Sequence, residues 1–252
     1  MKVLVACEYS GRVRDAFLAL GHDAMSCDLL PTDVPGPHYQ GDVFDLDLSQ
    51  YDLMIAHPPR TYLSVSGMHW TTRGLRDPQL TEDALAFVQR LMDAPIQRIA
   101  IENPISVISS RIRKPDQIIQ PWWFGEDASK KTCLWLKNLP PLQPTKIIAP
   151  RGWSLVQMAG DMLECEECGE PFCPEHNDHY ADCDCIGPME DDVELKDNSG
   201  YLFGTRVSPA PKQVWGNQTD SGQNKLAPSA DRWKLRSTTY QGIAEAMASQ
   251  WG

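Results

Sequence analysis

The chain has 252 residues, 42% of them hydrophobic, which is enough for one sizeable core with room for a small insertion, and its formal net charge is −11. No run of eighteen apolar residues occurs, which argues against a membrane-spanning helix. The acidity is local: Asp161 to Asp197 hold fourteen Asp/Glu against one Lys, whereas the remainder carries 22 basic and 20 acidic side chains, so the total does not exclude a nucleic-acid partner.

In chain order, "KVLVAC" (Lys2 to Cys7) is a continuous apolar run of the kind a strand covered on both faces requires. It follows the initial Met directly, with no signal-peptide cleavage pattern, so a cytoplasmic location is expected. "RVRDAFLALG" has apolar residues at helical spacing, and Gly21 can end that helix. "DAMSCD" predicts a second strand finishing at Asp28, and "DLMIAH" another finishing at His57, before Pro58 and Pro59. "TEDALAFVQRLMDA" predicts an amphipathic helix with Thr81 as N-cap, and "RIAIEN" a buried strand ending at Glu102. "KTCLWLKNL" predicts a strand and "QGIAEAMASQW" a last helix. Strand, helix and strand alternate through the first 105 residues, which implies a doubly wound α/β sheet. In such sheets functional groups collect at the carboxyl ends of strands, here Glu8–Gly11, Asp28, His57–Arg60 and Glu102–Pro104.

Cys7, Cys27 and Cys133 lie in apolar surroundings and read as reduced, buried thiols. The other five cysteines crowd into "CEECGEPFCPEHNDHYADCDC". Cys165, Cys168, Cys173, His176, His179, Cys183 and Cys185 are seven candidate ligands, in short pairs suited to one or two tetrahedral zinc ions. This acidic insert is expected to serve as a folding staple, a protein-binding knob, or a small substitute for a target-recognition domain. Beyond it, Arg206 to Arg236 carry six Lys/Arg against two Asp. Lys225, Arg232, Lys234 and Arg236, with Trp215 and Trp233, are candidates for phosphate contacts and base stacking; "DRWKLRSTTY" also alternates like a strand, whose solvent face would carry the same charges.

The strand-end clusters, in this order, resemble the DNA cytosine-5 methyltransferase family, specifically its short phage-type members. "VACEYSGRVRDAFLALGH" resembles the first glycine-bearing turn against S-adenosylmethionine, keeping only Gly11 of the usual glycines; "GDVFDL" resembles the third motif. "PPRTYLSVSG" is similar to the nucleophile loop except at Arg60, "TTRGLRDPQLTEDALAFVQRL" to the segment after it, "IENP" to the Glu-Asn motif, and "TTYQGIAEAMASQWG" to the closing helix. The likeness covers roughly residues 1–145 and 215–252, and the insert resembles zinc-binding inserts of phage-type relatives.

The resemblance implies a class I (Rossmann-like) S-adenosylmethionine-dependent methyltransferase fold with a zinc insert. The implied organisation is a core over 1–150, the insert over 151–205, and a basic segment with the closing helix over 206–252. It implies cofactor contacts from Glu8, Tyr9, Ser10, Gly11, Asp28 (ribose hydroxyls), Asp42 and Val43 (adenine), His57 and Pro58. It implies a flipped cytosine held by Glu102 and Asn103, with Pro59 shaping the loop and Glu102 partly protonated against the ring nitrogen N3. DNA is the implied partner of an expected monomer, in the host cytoplasm if the gene is a phage's. Arg60 occupies the position of the nucleophilic cysteine, and a guanidinium has no usable lone pair with which to add to C6. Three readings stay open. Arg60 replaces a native cysteine; the chain is a pseudo-enzyme that binds DNA or protein; or the pocket methylates an exocyclic amine, which needs no covalent intermediate. Cys7 and Cys133 are substitute nucleophiles only if the fold delivers them.

Overall fold

A computed structural model describes residues 1–148, 195–196, 202–203, 215–218 and 237–252. The zinc-ligand candidates Cys165, Cys168, Cys173, His176, His179, Cys183 and Cys185 lie outside these residues. So do Lys225, Arg232, Trp233, Lys234 and Arg236, and the expected boundaries after 150 and 205. The chain divides into two compact units. One comprises Met1–Gln120, Lys130–Thr145 and Ser237–Gly252, the other Pro121–Ser129 and Lys146–Arg236.

The first unit is built on seven strands: β1 (Lys2–Ala6), β2 (Asp23–Asp28), β3 (His38–Gln40), β4 (Leu53–Ala56), β5 (Arg98–Pro104), β6 (Gln117–Ile119) and β7 (Thr132–Lys137). Their order is β3-β2-β1-β4-β5-β7-β6. The first five run parallel, and β7 lies antiparallel to both its neighbours. From β1 the chain winds outward to β3 and then returns to build β4 on the other side, so the order reverses between β1 and β4. A sheet of this kind opens a crevice at the carboxyl ends of the strands flanking that reversal.

Val3, Leu4, Val5 and Ala6 are all fully buried, as the unbroken apolar run requires of a strand with both faces covered. One face, bearing Leu4, Ala6, Met54, Ala56, Ile99 and Ile101, packs with Leu85, Val88 and Leu91 of helix α3 (Gln79–Met92). Those helix residues recur at three-residue spacing, which lines one face of an α-helix. Helix α1 (Arg12–Ala19) packs against the last helix, α5 (Gln241–Trp251). Trp251 anchors that end: its indole Nε1 donates to the Pro140 carbonyl at 2.9 Å, and Arg98 donates to the Trp251 carbonyl at 3.1 Å. Helices α2 (Val65–Thr72) and α4 (Ile108–Arg111) complete the unit.

Two sequence expectations change here. Thr81 is not the N-cap of α3: the helix begins at Gln79, whose amide is held by Asp77 Oδ1 at 2.9 Å. Thr81 is buried and donates to the Tyr62 carbonyl at 3.2 Å, tying α3 to the loop after β4. The strands β3 and β6 were not anticipated, and neither was α2.

In the second unit, Trp215 stacks on Trp122 with ring centroids 5.5 Å apart and planes 20° from parallel, and it is 3% exposed. That burial removes it from the base-stacking role expected of it: its π-face is already covered. The buried Asn217 beside it exchanges both possible hydrogen bonds with the Ser129 backbone, at 3.1 and 2.9 Å. A two-stranded antiparallel pair, β8 (Leu195–Lys196) with β9 (Leu202–Phe203), also belongs to this unit.

Candidate active site at the carboxyl edge of the sheet

Strand register puts the site residues in a row. Ala6 is level with Cys27 on one side and Ala56 on the other, and Ala56 is level with Ile101. One residue further on, Asp28, Cys7, His57 and Glu102 therefore lie side by side across β2, β1, β4 and β5. The backbone confirms the alignment: the His57 amide donates to the Ala6 carbonyl at 3.0 Å, and the Glu8 amide to the Cys27 carbonyl at 3.1 Å. The resemblance to a known family singled out three of these four; the row itself comes from pairing.

At β1, Cys7 has φ 59°, an uncommon conformation for a residue with a Cβ, and it turns the chain sharply into the loop 8–11. Glu8 is 4% exposed and acts as the cap that α1 lacks at Gly11: its carboxylate accepts from the Val13 amide at 2.7 Å and the Arg14 amide at 3.2 Å. A carboxylate at a helix N-terminus satisfies otherwise unpaired amides and is favoured by the helix dipole. Ser10 Oγ donates to the same carboxylate at 3.1 Å. The side chains of Glu8 and Ser10, expected at the cofactor, are thus committed to starting α1. Tyr9 OH pairs with Ser237 Oγ at 3.1 Å, and Arg12 donates to the Thr239 carbonyl at 3.2 Å, so the segment before α5 returns to this loop. Gly11 has φ 73°, and a Cβ there would meet Val34 Cγ2 at 2.7 Å and the Arg14 guanidinium.

Arg14, in the first turn of α1, is fully buried. It donates to Asp15 Oδ1 at 2.7 Å, Ser26 Oγ at 3.2 Å, Thr32 Oγ1 at 3.3 Å, and the Val34 and Pro35 carbonyls at 3.4 and 3.3 Å. This one side chain fixes the loop between β2 and β3. At the head of that loop Asp28 accepts from the Leu30 amide at 2.9 Å, and burial raises its carboxyl above the ordinary range. The Gly41 amide donates to the Asp28 carbonyl at 2.9 Å, which brings the exposed Asp42 near it; Asp42 caps a short 3₁₀ turn over Val43–Asp45 by accepting from the Phe44 amide at 3.0 Å. Asp28 and the exposed Asp42 thus place two carboxylates, acceptors of the kind that a ligand with adjacent hydroxyls needs, at the ends of neighbouring segments.

At β4 and β5, His57 Nδ1 and Glu102 Oε2 are 2.7 Å apart, both groups largely buried. Burial works against charge on either one, but their mutual hydrogen bond outweighs it, raising the imidazole and lowering the carboxyl from their ordinary values. Lys130 and Arg60 add positive potential that also lowers Glu102, while Glu8 raises His57. In these surroundings the carboxylate of Glu102 is favoured, whereas a partner of N3 needs the protonated form. Lys130 had no motif to mark it; it arrives through the segment leading into β7.

Asn103 is 2% exposed and its Nδ2 donates to the Pro58 carbonyl at 2.8 Å. The loop after β4 is stitched to the end of β5 twice more, by a bridge between Ser64 and Ser106 and by the Val107 amide donating to the Leu63 carbonyl at 2.9 Å. Pro58 is buried and Pro59 exposed, and the Arg60 carbonyl accepts from the amides of Leu63 and Ser64 at 3.1 and 2.9 Å, starting the turn into α2. Three buried atoms here, His57 Nε2, Asn103 Oδ1 and Ser106 Oγ, have no hydrogen-bond partner.

The thiols offer no nucleophile. Burial, then the charges of Asp28 and Asp42, push Cys27 up to about 12, and burial with Glu102 pushes Cys133 up to about 11. Cys7 is raised further by burial and Asp28. The thiolate is the nucleophilic form, so these surroundings disfavour Cys7 and Cys133 as substitutes for a cysteine at position 60. Among the described residues no group of His, Cys, Asp and Glu is placed to hold a metal ion, and no helix is long and apolar enough to cross a membrane. Large apolar side chains are exposed in the connections leaving β2, β4 and β5: Leu29, Val65, Trp70, Leu75 and Ile105.

No family model matches the chain, and no curated protein matches it. Among solved structures, it is similar to a prophage-encoded E. coli protein provisionally assigned as a DNA modification methyltransferase. The identity is 14% and the TM-score 0.43, over 65% of this chain and 56% of that one. The chain therefore spans little more than half the length of that structure.

Proposed function

We propose that this chain is a class I S-adenosylmethionine-dependent methyltransferase scaffold of the DNA cytosine-5 type, in which Arg60 closes the covalent route. The observation that carries the reading is the level row of Asp28, Cys7, His57 and Glu102 beside the reversal of strand order, where doubly wound sheets take their ligands. Asp28 and Asp42 would accept from the ribose hydroxyls and the adenine of the cofactor, and Gly11 would permit close approach of the backbone. S-adenosylmethionine supplies, when bound, a methyl group on a sulfonium centre. A base flipped out of a helix would meet the ends of β4 and β5. The exposed apolar side chains around that edge suit a partner that covers it.

Activation of cytosine C5 requires addition of a nucleophile to C6. Arg60 cannot add, and their surroundings raise the described thiols, which disfavours the thiolate needed for addition. Loss of an essential nucleophile costs up to roughly 10⁶ in rate in a well-studied enzyme of another class. The chain is therefore expected to bind cofactor and DNA with little or no transfer to C5. A second reading, methylation of the exocyclic amine, draws on one observation: the orphaned Asn103 Oδ1 is an acceptor for an amine, and such transfer needs no thiolate.

The test is labelled-methyl transfer to mixed-sequence DNA by the native chain and by Arg60→Cys, with cofactor binding measured by calorimetry. Label on C5 with the variant alone supports the proposal. Label on the exocyclic nitrogen with the native chain supports the second reading. DNA binding without any cofactor affinity leaves a non-enzymatic binding protein. The spacing of Cys165, Cys168, Cys173, His176, His179, Cys183 and Cys185 supports one or two zinc ions in the insert, to be checked by metal analysis and chelation. Lys225, Arg232, Lys234 and Arg236 remain the proposed phosphate contacts, with salt dependence of DNA binding as their readout.

A further inference from the structure

We propose that the arch from Thr61 to Arg76 binds unpaired nucleic-acid bases, Trp70 stacking on a base and Arg73 meeting the adjoining phosphate, so that the chain favours a single strand over a duplex. The inference rests on the proposed function above and names the form of nucleic acid that its site takes.

The arch leaves the carboxyl end of β4 and contains α2. Its base is clasped: Arg76 donates to the Thr61 carbonyl at 2.9 Å and lies over the Tyr62 ring, 4.9 Å from its centroid, while the Thr81 hydroxyl holds the Tyr62 carbonyl. Beyond α2 the chain turns tightly at Gly74, whose φ is 70°. The Gly74 amide donates to the Thr71 carbonyl and the Leu75 amide to the Trp70 carbonyl, each at 3.0 Å. These two bonds make a Schellman ending, which sets Leu75 next to Trp70. The Arg73 amide still donates to the His69 carbonyl at 3.3 Å, so Arg73, three residues on from Trp70, shares its side of the helix. Trp70 nevertheless stays 50% and Leu75 65% exposed, with Val65 and Arg73 exposed as well. An open indole on a braced turn, among other exposed apolar side chains, marks an interaction site for a flat apolar group.

Charge identifies that partner. Asp15 to Pro59 hold eight Asp and no Lys or Arg, whereas Arg60 to Arg76 hold three Arg and no acid. A polyanion is therefore drawn to the arch and turned away from the loops before it. A two-fold contact between copies through this surface would set the arginines against each other. A nucleotide offers what the patch calls for, a flat ring face beside a negative charge. Paired bases keep their faces inside the stack, so an unpaired one meets Trp70 without the cost of opening a helix. With Arg76 committed to the clasp, stacking outweighs phosphate contact in what the arch contributes.

The experiment is fluorescence anisotropy of a short mixed-sequence DNA oligonucleotide, single-stranded or annealed to its complement, titrated with the native chain, Trp70→Ala, Trp70→Phe and Arg73→Gln. The native chain should bind the single strand more tightly than the duplex. Trp70→Ala should lose roughly 5- to 150-fold on the single strand, the range of base–aromatic stacking, with little change on the duplex. Trp70→Phe should restore most of that loss. Arg73→Gln should reduce the slope of log affinity against log salt by about 0.7, one phosphate's share for a single strand. Thermal unfolding and S-adenosylhomocysteine affinity should match the native chain in all three variants, because both side chains lie at the surface. Native-like single-strand binding by Trp70→Ala, or a native preference for duplex, overturns this proposal and leaves the methyltransferase reading standing. Self-association of the native chain in sedimentation, abolished by Trp70→Ala, would make the patch a contact between copies and overturn it as well. S-adenosylhomocysteine affinity without binding of either oligonucleotide overturns it together with the DNA reading. Trp70-dependent binding of the single strand by a chain without cofactor affinity upholds the arch as a nucleic-acid surface and removes the methyltransferase reading alone.

Discussion

Replacing Arg14 with Met tests whether one buried cation holds the loop that presents Asp28. The variant keeps the apolar stem but removes five hydrogen bonds from a side chain with no exposed surface. Breaking a buried charged network costs about 3–5 kcal/mol. The acceptors here argue for the lower end. Asp15, Val34 and Pro35 are exposed enough for water to replace the guanidinium, and the buried Ser26 Oγ keeps its contact with His38 Nδ1 at 2.8 Å. The expected loss is therefore about 3 kcal/mol, or roughly 6–12 °C in Tm for a chain of this size. On the proposed function, S-adenosylmethionine affinity should fall too, because the 29–37 loop would no longer fix Asp28. Urea and thermal unfolding with calorimetry provide the measurement. A loss under about 1 kcal/mol with an unchanged denaturant slope would refute the idea that Arg14 holds the loop.

The His57–Glu102 pair predicts a stability window. His57 is raised, so its contribution is complete below its unfolded value near 6.5 and is lost as pH rises through the folded value. Glu102 is lowered, so its contribution is complete above 4.5 and is lost as pH falls through the folded value. Glu102→Gln should flatten the Tm profile on both sides of that interval; profiles that stay parallel from pH 4 to 9 would count against the pair. Gly11→Ala should cost more than about 2 kcal/mol through a left-handed φ and collision with Arg14 and Val34, whereas Gly21→Ala, with φ 81° but open space around it, should cost only about 1. Equal losses in chemical denaturation would show that φ alone matters. Alkylation at pH 8, mapped by peptide mass, should spare Cys27 and Cys133 until the protein unfolds; rapid native labelling would contradict their protonated, buried state.

The long apolar strands were readable because burial on both faces leaves no alternative to unbroken runs such as Val3–Ala6. The three-residue strands β3 and β6 were not, since they are specified by pairing to β2 and β7 more than by their own pattern. Helix α2 lacks a segregated apolar face, which removes the signal that exposed α3. Strand-end residues Glu8, Asp28, His57 and Glu102 could be picked out in the sequence, but not their partners. Whether Glu102 meets a base, a lysine or His57 depends on the β4–β5 register, and Lys130 comes from another part of the chain. Arg14 was hidden for a simpler reason: arginine in an amphipathic helix is ordinarily solvated.

The first unit is interrupted after Thr145 and resumes at Ser237, so α5 reaches α1 only when an excursion of roughly ninety residues closes. The entropy of closing a flexible loop grows only with the logarithm of its length, about 0.6 kcal/mol for each doubling. The sheet and its strand-end row are therefore almost indifferent to how long that excursion is. An ancestor could have exchanged the segment wholesale, cysteines and acidic residues included, with little penalty to the core.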